Sequence, residues 1–377
     1  MSRFVIACGG TGGHLAPGIA LAQWLVEDGH RPLLLISDKQ IDARLTEKYP
    51  DFEFQVIPGA PLLMGASGFV RFAVQQMRGL LFSWKLIRRE RPVGIIGFGG
   101  FTTASIIVAG WMRGVPVALH EANRVVGRAV RTLARFADRI YLPRGVRLSN
   151  TAREKIRHCG LPVRHEVRRR PRDEAAERFG LDAALPTLVI LGGSQGARSL
   201  NEWSGTHASF FASKGVQILN VCGPSNGETG QQVFAGPDGR EITHVRLPFC
   251  DEMALLYSAA DLVISRSGAG TLAELVRCQT PAILVPYPFA ADNHQAANAA
   301  DFAHRGGGVV LAERELDRLR DQVDELLFNE ARLATLRAQL GEMARSEALQ
   351  LMLLDFEALA GTRPKSDTYA PWEVATP

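Results

Sequence analysis

Two runs of small residues carry the first chemistry in this chain. Gly9-Gly10-Thr11-Gly12-Gly13 follows the apolar run Phe4-Val5-Ile6-Ala7, and Gly192-Gly193-Ser194-Gln195-Gly196-Ala197 follows Leu188-Val189-Ile190-Leu191. A glycine loop between a strand and a helix start exposes backbone N–H groups at the positive end of a helix dipole, which suits a phosphate. Such a loop can also be no more than a tight turn that lets a helix pack closely. Two of them at equivalent places favour a ligand cleft. His14 stands at the junction of the first loop with its helix, where it suits a general base and equally suits capping or a phosphate contact.

A third segment of this type is Ser265-Arg266-Ser267-Gly268-Ala269-Gly270-Thr271-Leu272-Ala273-Glu274. Its loop amides could receive a diphosphate, and Glu274, one turn into the helix, could accept hydrogen bonds from ribose hydroxyls. A carboxylate there is also favourable with no ligand at all. Asp292-Asn293-His294-Gln295 and Asn298 follow a proline loop and could read sugar hydroxyls, or simply cap a helix. Dinucleotide chemistry is disfavoured because Leu15 stands where the third glycine of a GxGxxG loop would be, although Asp38 follows the second strand. Neither glycine loop continues into a Lys-Ser/Thr pair, which disfavours a P-loop. No Asp-x-Asp pair occurs, so neither a metal nor any other cofactor is expected, and a leaving diphosphate would depend on backbone amides and a helix dipole.

The elements that must position these residues alternate along the chain. Short apolar runs are expected as strands at 4–7, 33–36, 54–57, 93–96, 117–119 and 139–142. A second series falls at 187–191, 217–221, 244–247, 262–265, 282–285 and 308–311. Helix-length segments separate them, the pattern of parallel sheets built from βαβ units. Two series that begin alike predict two doubly wound α/β domains. Their boundary is expected in the Arg-, Pro-, Glu- and Asp-rich stretch 161–182.

Composition agrees with this size and class. The 377 residues are 46% hydrophobic and carry a formal net charge of +4, which disfavours disorder. Five scattered cysteines without a CxxC pair read as thiols of a reducing compartment. No secretory leader is expected in Ser2–Ile6. The uncharged stretch 93–112 is long enough to span a bilayer, but its glycines favour a strand, a turn and a helix from Thr102. The charge is unevenly placed: residues 1–164 hold 23 basic and 11 acidic side chains, a net of +12, while 165–377 hold 20 and 28, a net of −8.

In order along the chain, Gly9–His14, Gly97-Phe98-Gly99-Gly100-Phe101, His120-Glu121-Ala122-Asn123, Gly192–Ala197 and Ser267-Gly268-Ala269 through Glu274 resemble the MurG family. These are the bacterial undecaprenyl-diphospho-muramoylpeptide N-acetylglucosaminyltransferases of glycosyltransferase family 28. The resemblance runs from Phe4 to Asn298 and implies a GT-B fold: two doubly wound Rossmann-like domains facing an interdomain cleft. It implies an acceptor and membrane-associating domain at 1–163 and a UDP-GlcNAc domain at 164–344. The C-terminal helix 345–361 is expected to pack back on the first domain, with 362–377 as a surface tail.

Carried over by motif, the resemblance implies that UDP-GlcNAc meets Ser194 and Ala269-Gly270-Thr271 at the diphosphate, the Cys250 backbone at the uracil, Glu274 at the ribose and Gln295 at the sugar. Thr11, Gly12 and Gly13 would line the cleft, Asn123 would contact the sugar and Arg164 would reach the donor. His14 leads as the base, with Glu121 second. Cys250 stands where the family often has an aliphatic residue, Gly270 where some members have Leu, and His294 where some have Gln. Gly97, Gly99, Gly100, Thr102 and Thr103 could cradle the diphosphate of the lipid-linked muramoyl-peptide acceptor, or only turn the chain.

Such an acceptor implies a peripheral enzyme on the cytoplasmic face of the bacterial inner membrane. Cell-wall synthesis and division proteins would be its neighbours, and no nucleic acid is expected. Phe69, Phe72, Met77, Leu80, Leu81, Phe82 and Trp84 interleave with Arg71, Arg78, Lys85, Arg88, Arg89 and Arg91, a composition suited to an anionic membrane surface or to a core helix with a solvated basic face. The expected reaction is inverting transfer to the muramoyl 4-hydroxyl. A UDP-GlcNAc 2-epimerase on the same scaffold and a non-catalytic nucleotide-sugar binder are the alternatives. The first needs extra acid/base carboxylates and no lipid-facing surface.

Overall fold

A computed structural model of the chain describes residues 1–10, 12–38, 46–60, 66–193, 196–225, 229–346 and 349–362. The chain divides into two compact units. The first comprises Met1–Ala122, Val126–Arg164 and Glu347–Pro377, and the second Asn123–Val125 and His165–Ser346.

In the first unit, strands β1 (Arg3–Ala7), β2 (Arg31–Ile36), β3 (Glu53–Val56), β4 (Gly94–Gly97), β5 (Val117–His120), β6 (Arg139–Leu142) and β7 (Ile156–His158) form one sheet. Their order is β3-β2-β1-β4-β5-β6-β7, and every pairing is parallel. The central strands are apolar throughout because both faces are covered. Val5 and Ala7 of β1 join Leu33, Ile95, Val117 and Ile140 in one core, and Phe4 and Ile6 join Leu34, Ile96, Ala118 and Tyr141 in the other. Ile106, Ile107 and Val130, from the helices Thr103–Met112 and Arg128–Leu133, fill the first core. Leu15, Ile19 and Leu25 of the helix Gly12–Glu27 fill the second, together with Met352 and Phe356 of the helix Leu349–Leu359.

The second unit repeats the plan. Strands β8 (Thr187–Leu191), β9 (Gln217–Val221), β10 (Gly230–Ala235), β11 (Glu241–Leu247), β12 (Leu262–Ser265), β13 (Ala282–Leu284) and β14 (Gly308–Val310) are ordered β10-β11-β9-β8-β12-β13-β14. All pair in parallel except β10, which runs antiparallel along β11. The expected strands are therefore present in both series, and β7 and β10 are additions. Gly-Gln-Gln-Val-Phe-Ala of β10 is largely exposed at a sheet edge, so it has no apolar run to announce it.

The stretch 93–112 is a strand, a turn and the ten-residue helix Thr103–Met112. Among the described residues, no helix is long and apolar enough to cross a membrane.

Candidate functional site

Both sheets reverse their strand order at the first strand of the unit, and a doubly wound sheet opens its ligand crevice at that switch point, beyond the carboxyl ends of the strands. In the first unit, Ala7 at the end of β1 is in register with Gly97 at the end of β4. The segments that follow, 8–10 and 98–102, therefore leave the sheet side by side. In the second unit, Leu191 of β8 is in register with Ser265 of β12, so the chain at 192–193 and at 266–268 leaves the sheet in the same way.

The first pair of loops is tightly knit. Phe98 N–H donates to Ala7 O at 2.9 Å, and the Thr102 hydroxyl donates to Gly9 O at 3.0 Å. The Thr103 hydroxyl donates to Gly99 O. Thr102 and Thr103 are buried, so these hydroxyls hold the turn, and what the turn can offer a phosphate is its backbone. Gly99 and Gly100 adopt φ of +96° and +77°, where other residues are strained. Their bare α-carbons lie against the ring of His14, which is half-buried in the first turn of the helix Gly12–Glu27. The structure thus joins Gly12, Gly13 and His14 to Gly97–Thr103. Thr11 lies outside the described residues.

Glu121 follows β5 and is buried, and its Oε2 accepts the Gly127 N–H at 2.6 Å. Gly127 precedes the helix Arg128–Leu133, which has no side-chain cap of its own, so the carboxylate secures that helix entry. The neighbouring His120 is buried against Phe98 at 5.1 Å between ring centroids, and burial lowers its pKa to about 4, so it stays neutral. Arg164 is buried in the same unit, with Nη1 donating to the Tyr49 hydroxyl at 3.2 Å.

In the second unit, Gly268 starts the helix Ala269–Cys278 without a side-chain cap. A Cβ at Gly268 or at Gly270 would meet nothing within 4 Å. The amides of Ala269, Gly270 and Thr271 thus stand at a helix end with no side-chain cap, beside glycine α-carbons that face open space, an arrangement suited to an anion. Glu274, one turn on, accepts the buried Tyr257 hydroxyl at 3.0 Å.

Gln295 begins the helix His294–His304, and its Oε1 accepts the N–H groups of Tyr287 (2.9 Å) and Ser267 (3.3 Å). That carbonyl is occupied, so Gln295 offers a ligand its NH2 donors. Ahead of it, Asp292 and Asn293 both have positive φ, of 51° and 54°, a strained approach of the kind found at ligand sites. Asn298 is buried and bonds Asn123 Oδ1 (3.0 Å), the Arg124 N–H (2.9 Å) and Ser267 O (3.2 Å). The Asn123 side chain is therefore held against the loop 265–268.

Burial raises the Cys250 thiol to about 11, so the thiolate is disfavoured at neutral pH. In the remaining loop, Gly193 and Gly196 have positive φ and close a turn through Gly196 N–H to Gly193 O at 2.9 Å. Ser194 lies outside the described residues. Among the described residues, no three His, Cys, Asp or Glu side chains converge as metal ligands.

The pairing of Arg266 with Glu313 has no signal in the sequence, where an arginine in a serine-rich loop and a glutamate 47 positions later share no motif. Arg266 Nη2 meets Glu313 Oε1 at 2.8 Å, and Nη1 donates to Val285 O at 3.1 Å.

Comparison with known proteins shows the family and the fold. Residues 4–142 match the glycosyltransferase family 28 N-terminal domain and residues 187–352 its C-terminal domain. The chain is 49% identical to the UDP-N-acetylglucosamine--N-acetylmuramyl-(pentapeptide) pyrophosphoryl-undecaprenol N-acetylglucosamine transferase of Opitutus terrae, over 97% of each chain. It is 35% identical to the protein of that name from Desulforudis audaxviator, over 95% of this chain and 99% of the other. Among solved structures, Acinetobacter baumannii MurG superposes with a TM-score of 0.69 at 23% identity, covering 95% of this chain and all of that one. The calicheamicin glycosyltransferase CalG4 gives 0.66 at 14% identity over 96% and 98%, a likeness of fold. The chain belongs to glycosyltransferase family 28, within its MurG branch.

Proposed function

We propose that this chain transfers N-acetylglucosamine from UDP-GlcNAc to the 4-hydroxyl of the muramoyl residue of undecaprenyl-diphospho-muramoylpeptide, with inversion at the anomeric carbon, in peptidoglycan synthesis. The activity is the one its relatives' names state. One observation carries the donor reading: the helix end at Gly268–Thr271 has no side-chain cap and has glycine α-carbons that face open space, at the switch point of its sheet, with Glu274 and the Gln295 amide beside it.

In this reading the amides of Ala269, Gly270 and Thr271, with Ser194, take the diphosphate. Glu274 takes the ribose, Gln295 the sugar and the Cys250 backbone the uracil. Asn123 contributes to the sugar contact and Arg164 reaches the donor. As the glycosidic C–O bond breaks, negative charge builds on the departing UDP, and preorganised N–H groups stabilise it without reorganisation.

The base removes the proton of the acceptor hydroxyl while that oxygen attacks the anomeric carbon. His14 suits this role better than Glu121, because one carboxylate oxygen of Glu121 is committed to the Gly127 N–H. Gly97, Gly99 and Gly100, with the backbone of Thr102 and Thr103, are the proposed cradle for the acceptor diphosphate.

The acceptor is a lipid, and the helix Ala66–Glu90 has a face that suits a membrane. Val70, Val74, Met77, Leu81 and Trp84 are exposed along one stripe, at the i, i+4, i+7, i+11 and i+14 spacing of a helix face. Leu80 and Phe82, expected in this stripe, pack instead against the core. Phe72 is half-buried, and the Phe69 side chain lies outside the description. The Arg113 guanidinium lies 4.8 Å over the Trp84 ring and brings exposed Trp111 and Met112 into the same patch. With Arg71, Arg78, Lys85 and Arg88 exposed around it, this surface suits an anionic leaflet and supports the reading of a peripheral enzyme on the cytoplasmic face of the membrane, with cell-wall synthesis and division proteins as neighbours.

The test mixes purified protein with UDP-GlcNAc and a short-chain lipid-linked muramoyl-peptide. UDP release that requires the acceptor, with a β-linked product, is the expected result. Release or sugar interconversion without acceptor would point to the epimerase scaffold instead.

A further inference from the structure

The charged groups of the second unit include one partly buried carboxylate that the transfer chemistry does not use. Glu313 opens a short helical turn after β14, far in sequence from the candidate phosphate-binding segments at 192–197 and 265–271. Its carboxylate accepts Arg266 Nη2 at 2.8 Å and Nη1 at 3.1 Å, a two-point pairing, and it also accepts the Ser199 hydroxyl. Arg266 lies in the turn between β12 and the helix Ala269–Cys278, and Ser199 lies in the first turn of the helix Arg198–Ser213 that follows the loop 192–197. The same guanidinium donates to Val285 O at 3.1 Å and stands 5.5 Å over the ring of Tyr287, at the root of the loop that leads to Gln295. One carboxylate therefore grips the structures beneath all three proposed donor loops.

We propose that Glu313 is a positioning residue of the donor site: by holding Arg266 and Ser199 together it sets the start of the helix Arg198–Ser213, the turn 266–268 with the helix start that follows it, and the segment 285–295 in the arrangement that receives the UDP diphosphate. This rests on the reading of those segments as the donor site. Arg266 is buried and Glu313 partly so, and ion pairs withdrawn from water contribute little net stability compared with apolar packing; their better attested use is to select one arrangement. Here the arrangement selected is the relative height of two loop–helix junctions whose amides must meet the same anion. Burial alone would push the Glu313 carboxyl up, but the hydrogen bonds from Arg266 and Ser199 and the Arg266 charge hold it below the usual carboxylate range. The grip is therefore charged throughout the neutral range. Gln295 completes the frame from above by bonding the N–H groups of Ser267 and Tyr287.

The test measures UDP affinity by calorimetry, with steady-state donor and acceptor kinetics and thermal melting, on the full chain. Glu313→Gln is expected to weaken UDP binding about tenfold and to raise the UDP-GlcNAc KM equally. The kcat and the acceptor KM should change by less than about threefold. Glu313→Asp should recover part of the affinity. Glu313→Gln with Arg266→Gln should be no worse than the more affected single variant, because both break one unit. A folded Glu313→Gln protein that binds UDP within about twofold of the parent overturns the proposal, whatever its melting temperature.

Should Glu313→Gln not fold, Ser199→Ala decides, because it leaves the ion pair intact. UDP binding weaker by about threefold supports the grip, and unchanged binding overturns it. Glu274→Gln separates this from the underlying reading. If it too leaves UDP affinity unchanged, the donor-site assignment fails. If it weakens binding while Glu313→Gln does not, only the positioning role fails.

Discussion

The imidazole of His14 lies against the backbone of Gly100: a Cβ built on Gly100 would stand 3.3 Å from His14 Nδ1 and 3.2 Å from Gly9 O. A Cβ on Gly99 would stand 3.4 Å from Nε2 of the same ring. The two glycines thus form a floor under the ring, and their positive φ values let the chain turn closely enough to do so.

Gly100→Ala should therefore act twice. The left-handed conformation costs about 1–2 kcal/mol for an L-residue, which a urea titration would read as a lower midpoint. The added methyl also displaces the His14 ring, so turnover of the folded fraction should fall further than stability. Unchanged turnover in well-folded protein would separate His14 placement from the glycine turn.

Replacement of His14 by Ala is expected to lower kcat by about 10²–10⁴-fold with the donor KM nearly unchanged, as loss of a general base does. Glu121→Gln keeps an acceptor for the Gly127 N–H and should cost less than about tenfold. A larger loss for Glu121→Gln than for His14→Ala, in a steady-state assay with both substrates, would reverse the assignment.

Acid should destabilise the second unit, while in the first unit two groups act in opposite senses. Burial lowers His120 and His244 from 6.5 to about 4, with Arg246 adding to the effect at His244. Each binds its proton more readily when unfolded, so its contribution is complete above about pH 6.5 and is lost as pH falls toward about 4. Glu357 acts in the opposite sense. Burial, with Asp28 nearby, raises it to about 7, so its contribution is present below its ordinary 4.5 and fades as pH rises through 7. Melting temperatures measured from pH 7.5 down to 4.5 should fall, more steeply in Glu357→Gln and less steeply in His244→Asn.

The exposed stripe on the helix Ala66–Glu90 gives a prediction with a solvent control. Met77→Asp combined with Leu81→Asp removes apolar contact and adds charge repelled by anionic lipid. Binding to phosphatidylglycerol vesicles, read by sedimentation, should weaken about 100-fold. Because both side chains are exposed, stability should move by less than about 0.5 kcal/mol. Leu80→Asp, which strikes a residue packed on the core, should instead lower stability.

Much of the fold was legible because its signals are local. A buried parallel strand needs an apolar run, a close turn needs glycine, and both stand in the sequence as uninterrupted words: Phe4–Ala7 with Gly9–Gly13, Leu188–Leu191 with Gly192–Ala197. The edge strand Gly230–Ala235 was not legible, because a strand exposed on its outer side needs no apolar run and is specified by its partner β11. The membrane-facing helix was legible in composition and only in part by residue. Its charge and aromatic content mark an interface, while the division between Leu81 outside and Leu80 inside depends on which way the helix is rolled against its neighbours.

By itself, then, the amino-acid order determined two βαβ series, the placement of a glycine loop after the first strand of each, and the small set of polar residues near those loops. It could not determine what those residues spend their hydrogen bonds on. Thr102 and Thr103 turn their hydroxyls to Gly9 and Gly99, Glu121 to Gly127, Gln295 its carbonyl to Ser267 and Tyr287, and Arg266 its guanidinium to Glu313. Apart from Thr103 and Glu121, these partners lie from 8 to 93 positions away in the chain. They are chosen by strand order and register, which bring the ends of β1 and β4, and of β8 and β12, together only once the sheets have formed. A buried polar group must find a partner wherever the fold supplies one, so which side chains hold the site and which can face a ligand is a property of the tertiary structure.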